Sequence, residues 1–420
     1  MPLEPLSMVL YNLFLFCYPK IAKLLGFFNP KAKEWVLGQD QVWIEINQKI
    51  KELTGPIIWI HAASYGEFEQ GLPIIEALKL KYPSHKIWLT FFSPSGYLHR
   101  KNDPSVDVVT YLPLDNLENA KNFIEIVNPK LIVFIKYEFW YYYLNEAQLK
   151  NIPTILASAR FRPNQIFFKW YGGFYRSMLH LFTHILVQDK DAYDLVTPIL
   201  NHKKINITGD TRFDRVVQTA NNISNIEWVK LLSSDKNIIA GSTWNEDHLI
   251  LSKASAHFTQ FNWIIVPHHV DEKSIQSCKN YFPNAITLSQ LLAQNIPQSK
   301  PIVLIVDRIG LLRTLYQYAY ISYVGGGFGS DGVHNVLEPA AFGKPVIWGH
   351  NDIKYKEAIG LRKSKGGYRI KNESELVMYL NEFLHSSNQY ELAGKLAFKY
   401  ILDNAGATAK TMAQICPYLD

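Results

Sequence analysis

From residue 57 onward the chain alternates short, nearly continuous apolar runs with segments of helical period. The runs cover 57–61, 86–91, 106–111, 131–135, 154–157 and 184–188, and segments such as 69–81 and 117–127 carry apolar residues at helical spacing. Strands apolar on both faces, separated by helices, predict a parallel sheet sandwiched between helix layers. The pattern pauses at the polar, turn-prone "TANNISN" of residues 219–225, then resumes with runs at 237–240, 263–267, 301–306, 320–324 and 345–348. A chain of 420 residues exceeds one ordinary core. The expected architecture is therefore α/β, with two Rossmann-like, doubly wound domains facing a central cleft. The domain junction is placed within 213–232, and the expected division is 1–35, 36–215 and 216–420. In such sheets ligands sit beyond the carboxyl ends of the strands, so the loops after each run are where chemistry is sought.

The first 35 residues break this alternation. "SMVLYNLFLFCYPKIAKLLGFF" is apolar and aromatic up to Tyr18 and is then interrupted by Pro19, Lys20 and Lys23. A spanning helix needs roughly 20 mostly apolar residues. The uninterrupted run is shorter, which favours a helix lying on a membrane surface, its lysines (Lys20, Lys23, Lys31, Lys33) facing anionic headgroups. A helix packed on the protein's own surface is the alternative. The segment lacks the basic start and small-residue cleavage site of a signal peptide.

Bulk composition narrows the classes. Hydrophobic residues make up 48% and charged residues 19%, as in a globular protein. A net charge of +6 suits anionic substrates or lipid. No arginine-rich block or zinc-finger spacing points to nucleic acid. Cys17, Cys278 and Cys416 are scattered and odd in number, so they form neither a disulfide framework nor a metal pair, and they fit a reducing compartment.

The strand ends carry the candidates. After the first run, Glu67 falls in the first turn of a helix, either as an acid that steadies the helix dipole or as a general base. Glu138 closes "LIVFIKYEFW" among aromatics, either charge-paired or with a chemical task. In "ITGDTRFD", Arg212 stands between Asp210 and Asp214, as a salt bridge or as a cation for phosphate or developing charge. "IAGSTWNEDHLI" brings Glu246 and Asp247 to a helix start. His268 and His269 follow another run; adjacent imidazoles on a loop diverge, and no third ligand lies at metal spacing, so contact with a phosphate or base is expected rather than a metal. Gly310 marks a further strand-to-helix turn.

The densest feature is "VGGGFGSDGVHNVLEPAAFGKPVIWG", with five glycines between Gly325 and Gly332. Glycines let backbone N–H groups approach a ligand, and His334 and Asn335 fall at an expected helix start, with Glu338 one turn in. Gly327-x-Gly329-x-x-Gly332 also fits the dinucleotide fingerprint, with Asp352 twenty residues on. That match is read as accidental. It lies late in the chain, Pro339 interrupts the helix, and the next run ends in glycine instead of an acid.

Taken together, "HAASYGE", "YLPLDN", "ITGDTRFD", "VPHHVDE" and the glycine-rich stretch resemble the 3-deoxy-D-manno-octulosonic acid (Kdo) transferases of Gram-negative bacteria, in order and spacing, over nearly the whole chain. The resemblance implies a GT-B fold and inverting transfer of Kdo from CMP-Kdo to a lipid A precursor, lipid IVA, in lipopolysaccharide biosynthesis. It implies work at the cytoplasmic face of the inner membrane, without cofactor or metal. It makes Glu67 the general base and Glu138 with Arg212 the transition-state pair. It assigns CMP contacts to His268, His269, Ile309, Gly310, Leu311, Asn335 and Glu338. The chain departs from the family in three places. His268 stands where arginine is common, Leu311 where glutamate is common, and Arg212 where many members have lysine. Another GT-B nucleotide-sugar transferase or epimerase is the nearest alternative; an NAD-dependent oxidoreductase and a non-catalytic scaffold are the others.

Overall fold

The structure is a computed structural model that describes residues 4–222, 224–232, 235–294, 300 and 302–420. The chain forms two compact units. Unit 1 comprises Met1–Arg215 with Ala405–Asp420, and unit 2 comprises Val216–Asn404.

Unit 1 is built on seven parallel strands: β1 (Ile57–His61), β2 (Lys86–Phe91), β3 (Val108–Tyr111), β4 (Pro129–Ile135), β5 (Thr154–Ala159), β6 (His184–Val187) and β7 (Ile205–Ile207). Their order is β3-β2-β1-β4-β5-β6-β7. Alternate residues of β1 enter opposite cores: Ile57 and Trp59 pack with Phe123, Phe134 and Tyr143, whereas Ile58 and Ile60 pack with Phe68, Ile75 and Leu78. This two-sided burial explains why the strands read as continuous apolar runs. The order reverses between β1 and β4, the position where doubly wound sheets bind ligands.

Unit 2 repeats the plan with β8 (Asn237–Thr243), β9 (Asn262–Pro267), β10 (Ile286–Thr287), β11 (Val303–Ile305), β12 (Ala319–Val324), β13 (Val346–Gly349) and β14 (Gly367–Ile370), in the order β10-β11-β9-β8-β12-β13-β14. Its switch point lies between β8 and β12. The run expected at 301–306 begins at Val303, and Pro301 lies outside the described residues.

Two expectations are corrected. The first concerns the N-terminal segment. The helix Glu4–Leu25 continues through Pro19, and its Leu6–Leu25 portion is long and apolar enough to cross a bilayer by length and composition. A run expected to be too short to span is therefore long enough, because one proline does not end the helix. One stripe of it, Tyr11, Leu15 and Ala22, is nevertheless buried against unit 1. The Tyr11 hydroxyl donates to the buried Asp115 carboxylate. The opposite stripe leaves Leu10, Leu13, Phe14 and Leu24 exposed. The next helix, Pro30–Lys49, begins where Asn29 Oδ1 accepts from the N–H groups of Lys31 and Ala32, with Pro30 at its first position.

The second correction concerns the C-terminus. Residues 405–420, assigned from the sequence to the second half, return to unit 1. Met412, Ile415 and Cys416 enter the core beneath β1 and the helix Tyr65–Lys81. The helix Ala407–Ile415 is tied at its start by Asp214, whose carboxylate accepts from Gly406 N, Thr408 N and Thr408 Oγ1. Asp214 sits in the helix Thr211–Asn221, so a capping bond is made between segments distant in sequence.

Asp214→Ala should lower the unfolding free energy of unit 1 by about 2 kcal/mol, the upper range for a lost cap. It should also expose the C-terminal helix to proteolysis. Urea unfolding combined with limited proteolysis checks this; a helix that stays protected would mean that the apolar contacts alone hold it.

Candidate active site

The switch point of unit 1 gathers the chemistry. His61, the last residue of β1, is fully buried, with Nδ1 2.8 Å from Thr90 Oγ1 and Nε2 2.9 Å from Glu138 Oε2. Trp59 Nε1 donates to Thr90 Oγ1 at 2.8 Å, and a carboxylate oxygen such as Glu138 Oε2 can only accept. The imidazole then carries its proton on Nε2 and donates it to Glu138. Trp140 Nε1 donates to the same Oε2 at 2.7 Å. The 3.2 Å approach of Trp140 Nε1 to His61 Nε2 is thus two donors converging on one oxygen. Glu138 is neither solvated nor paired with lysine or arginine in this network; it is a buried carboxylate gripped by an imidazole and an indole.

Glu67 lies in the first turn of the helix Tyr65–Lys81, and its Oε2 accepts from Ser64 N at 3.0 Å and Ser64 Oγ at 3.3 Å, a capping box. An acid with that role alone would titrate low. Glu67 does the opposite: burial and then the charge of Glu138 push its carboxyl up to about 6, against the pull of His61 and Lys136. Two carboxylates forced together out of water cannot both ionise freely, which is how proteins poise a base near neutrality.

Arg212 opens the helix Thr211–Asn221. Its Nε and Nη2 donate to Asp210 Oδ2 at 2.9 and 2.7 Å. Burial pushes the Asp210 carboxyl up, yet the Arg212 charge and the bonds it donates hold it below the ordinary carboxylate range. Arg212 is thus paired with Asp210. The helix of Arg212 is joined to the helix of Glu67 by Gln70, a fully buried residue that the sequence reading passed over. Gln70 Nε2 donates to Asp210 Oδ1 at 2.9 Å, and the Thr211 hydroxyl donates to the Gln70 carbonyl. Gln70 lies three residues after Glu67 on the same helix, so it fixes the Arg212 helix against the helix that carries Glu67. A lone amide in the run "FEQGLPII" was the available signal.

In unit 2 the switch point holds an aromatic deck. Trp244, at the end of β8, donates from Nε1 to His334 Nε2 at 2.9 Å, and the two rings are within 11° of parallel. His268, after β9, stacks on both, 4.6 Å from each. Burial and then His268 depress His334 to about 4, so it is neutral at pH 7. His268 is lowered as well, by burial and then by His269. His269 meets the edges of Trp244 and His268. Trp244 was missed because a lone tryptophan after a strand reads as core.

The glycine-rich loop departs from its expected role. A side chain at Gly327 would strike Gly349 backbone atoms at 2.6–2.8 Å, and one at Gly325 would strike Ser242 O at 2.4 Å. These glycines let the loops after β8, β12 and β13 pack backbone to backbone; only Gly329 faces open space on that scale. Asp247 anchors the loop, accepting from Tyr323 Oη at 2.6 Å and from Gly326 N and Trp244 N at 2.9 Å. Asp352, the acid that a dinucleotide fingerprint would need, is buried against Trp348, Arg362 and Arg369. Asn335 Oδ1 accepts from Leu337 N at the start of the four-residue helix Leu337–Ala340. Glu338, within that helix, meets Arg313 Nε at 3.3 Å. Ile309 and Gly310 lie exposed in the loop after β11, with Gly310 at φ +88°, and Leu311 follows them half-buried. Among the described residues no group of three His, Cys, Asp or Glu side chains gathers to hold a metal.

Comparison with known proteins places this geometry. The family model described as 3-deoxy-D-manno-octulosonic-acid transferase (kdotransferase) matches residues 35–215. A 3-deoxy-D-manno-octulosonic acid transferase of Aquifex aeolicus is 30% identical, over 83% of this chain and 91% of that protein. The one of Haemophilus influenzae is 27% identical over 97% of this chain and 98% of its own. Among solved structures, a UDP-GlcNAc 2-epimerase from Neisseria meningitidis bound to UDP-GlcNAc superposes with a TM-score of 0.62 at 14% identity, over 86% of this chain and 100% of that one. That likeness concerns the fold alone. Two seven-stranded parallel sheets of GT-B type, with sequence relatedness running through both, make the chain a glycosyltransferase that belongs to the 3-deoxy-D-manno-octulosonic acid transferase family.

Proposed function

We propose that the protein transfers Kdo from CMP-Kdo to a lipid A precursor, with inversion at the anomeric carbon, as a step of lipopolysaccharide assembly. The observation that carries this reading is Glu67: a carboxylate at a switch point, raised to about 6 by burial and a second acid. A sugar hydroxyl is a weak nucleophile and needs a base within hydrogen-bond reach. In the proposed step the acceptor oxygen bonds to the anomeric carbon and its proton passes to Glu67. The carbon–phosphate oxygen bond breaks, and CMP leaves with the electron pair. Glu138, held by His61 and Trp140, keeps Glu67 basic; Arg212 supplies positive charge to the departing phosphate. The stacked rings of His268 and Trp244, with His269 and the loop 309–311, suit a nucleotide that is stacked and hydrogen-bonded, and Asn335 and Glu338 suit the ribose. The lipid acceptor accounts for the exposed apolar stripe of the helix Glu4–Leu25, which would rest on the cytoplasmic face of the inner membrane.

Incubating the enzyme with CMP-Kdo and lipid IVA and weighing the lipid product tests the activity. Calorimetry in which UDP binds and CMP does not would favour a different transferase or an epimerase.

Glu67→Gln should lower turnover about 10²-fold or more, because glutamine keeps the cap but takes no proton. In the wild type, kcat/KM should fall below about pH 6, where the base becomes protonated. The same shift sets a stability sign. The folded carboxyl titrates above its ordinary 4.5, so its penalty is absent below that pH and complete above about 6. Relieving it is worth at most about 2 kcal/mol. The glutamine variant at pH 8 should therefore melt at or above the wild-type temperature while being inactive. A lower melting point with near-normal turnover would reduce Glu67 to a cap.

Glu338→Ala should weaken CMP binding about tenfold or more, as expected for lost bonds to a charged acceptor. Unchanged calorimetric affinity would remove it from the ribose site.

Replacing Leu10, Leu13 and Leu24 with serine should cut binding to anionic vesicles at least about tenfold, since each buried leucine is worth roughly 1.5–3 kcal/mol. Melting should hold, because all three are exposed. Flotation assays check this, and undiminished vesicle binding would contradict the surface-helix reading.

A further inference from the structure

Lys136 is the residue of the unit 1 switch point that the functional reading leaves without a task. It follows β4 directly, two residues before Glu138, and its backbone is left-handed at φ +73°. A residue with a side chain is costly there, by about 1 kcal/mol or more. The turn is locked, since Lys136 N donates to Ala157 O on β5 at 2.9 Å. On the same neighbouring strand Ser158 is also left-handed, at φ +52°, with its hydroxyl 3.1 Å from Thr211 Oγ1. Two strained non-glycine residues on adjacent strand ends, braced by the network that holds Arg212, mark a place where backbone strain is kept for positioning.

The turn brings the Lys136 side chain, half-buried, among Glu67 on one helix, Asp210 and Arg212 at the start of another, and Arg160 beyond β5. Its ammonium lies 5.2 Å from the Tyr137 ring centroid. Burial, and then the neighbouring Arg212, hold it below the ordinary lysine range, while Glu67 and Asp210 oppose that fall. Arg212 already has its guanidinium forked onto Asp210. Among the described residues no carboxylate closes an ion pair with Lys136.

An octulosonic acid bears its carboxylate on the anomeric carbon itself. A donor of that kind must bring an anion up to a site where Glu67 and Glu138 already repel one. It needs a cation beside the base that is not committed elsewhere, on a rigid backbone, within the range of Glu67. We propose that Lys136 takes the carboxylate of the donor sugar, selecting a sugar acid over a neutral sugar and setting the anomeric carbon beside Glu67. This rests on the activated sugar acid proposed above as donor. A neutral-sugar transferase would have no use for an ammonium there, and the two existing acids would make a carboxylate-bearing donor bind poorly without it.

The test compares Lys136→Met, which keeps the stem and the same backbone, with Lys136→Arg, which keeps the charge. The probes are CMP-Kdo as substrate and free Kdo and its methyl ester as competitive inhibitors. Wild-type enzyme should be inhibited better by the acid than by the ester. Lys136→Met should raise the donor KM at least about tenfold, as for one lost charge-assisted bond, and should abolish the preference for the acid. Its acidic limb of kcat/KM should also move upward, because Glu67 then has only His61 and the Ser64 bond to offset burial and Glu138. Lys136→Arg should restore the preference. A methionine variant that keeps its donor KM within twofold and still prefers the acid overturns the inference, whether or not it melts lower. Wild-type enzyme inert toward CMP-Kdo overturns the functional reading instead.

Discussion

Two carboxylates kept close together out of water are the constraint on which the rest of unit 1 depends. Glu67 and Glu138 reach that position from different strand ends, and burial and the charge of Glu138 make Glu67 costly to ionise there. Their surroundings can be read as the means of tolerating it. His61 and Trp140 both point donors at one oxygen of Glu138. Ser64 presents two donors to Glu67. Lys136 and Arg212 bring positive charge on strained or capped backbone, and Gln70 ties the helix of Arg212 to the helix of Glu67. None of these groups alone makes the site; together they surround Glu67, whose carboxyl is pushed up to about 6.

Unit 2 solves a different problem with the same topology. Its strand ends are lined by rings and glycines rather than by opposed charges. Trp244, His334 and His268 form a flat, neutral surface at pH 7, and Asp247 spends its charge on holding the loop that frames it. The equivalent switch points of two similar sheets thus carry opposite chemistries, an ionisable one in unit 1 and a stacking one in unit 2, as expected when function lives in the loops and not in the sheet.

Much of this was legible in the sequence, for stateable reasons. Strands buried on both faces must be apolar throughout, so β1, β2, β4 and β9 stood out. β10, with two residues, and the half-exposed β14 did not. Glu67 was visible by its place after a strand, but its cap and the base role proposed for it fall on one side chain, and only the proximity of Glu138 separates them. Long-range pairings were invisible: nothing in "NAGATAK" announces that it will be capped by Asp214, and nothing in Gln70 announces Asp210. The glycines were visible as a cluster, but their reason, backbone against backbone at Gly327 and Gly349, depends on strands brought together only by the sheet.

The return of residues 405–420 to unit 1 has a consequence for how the protein is made. A chain emerges from the ribosome N-terminus first, and domains fold as units when their residues are available. Unit 2 is complete once Asn404 has emerged, whereas unit 1, begun earlier, still lacks Met412, Ile415 and Cys416 over one face of its sheet. The unit that starts first therefore closes after the unit that starts second. During synthesis the helix Tyr65–Lys81, which carries Glu67, waits with an uncovered apolar flank until residues 405–420 arrive.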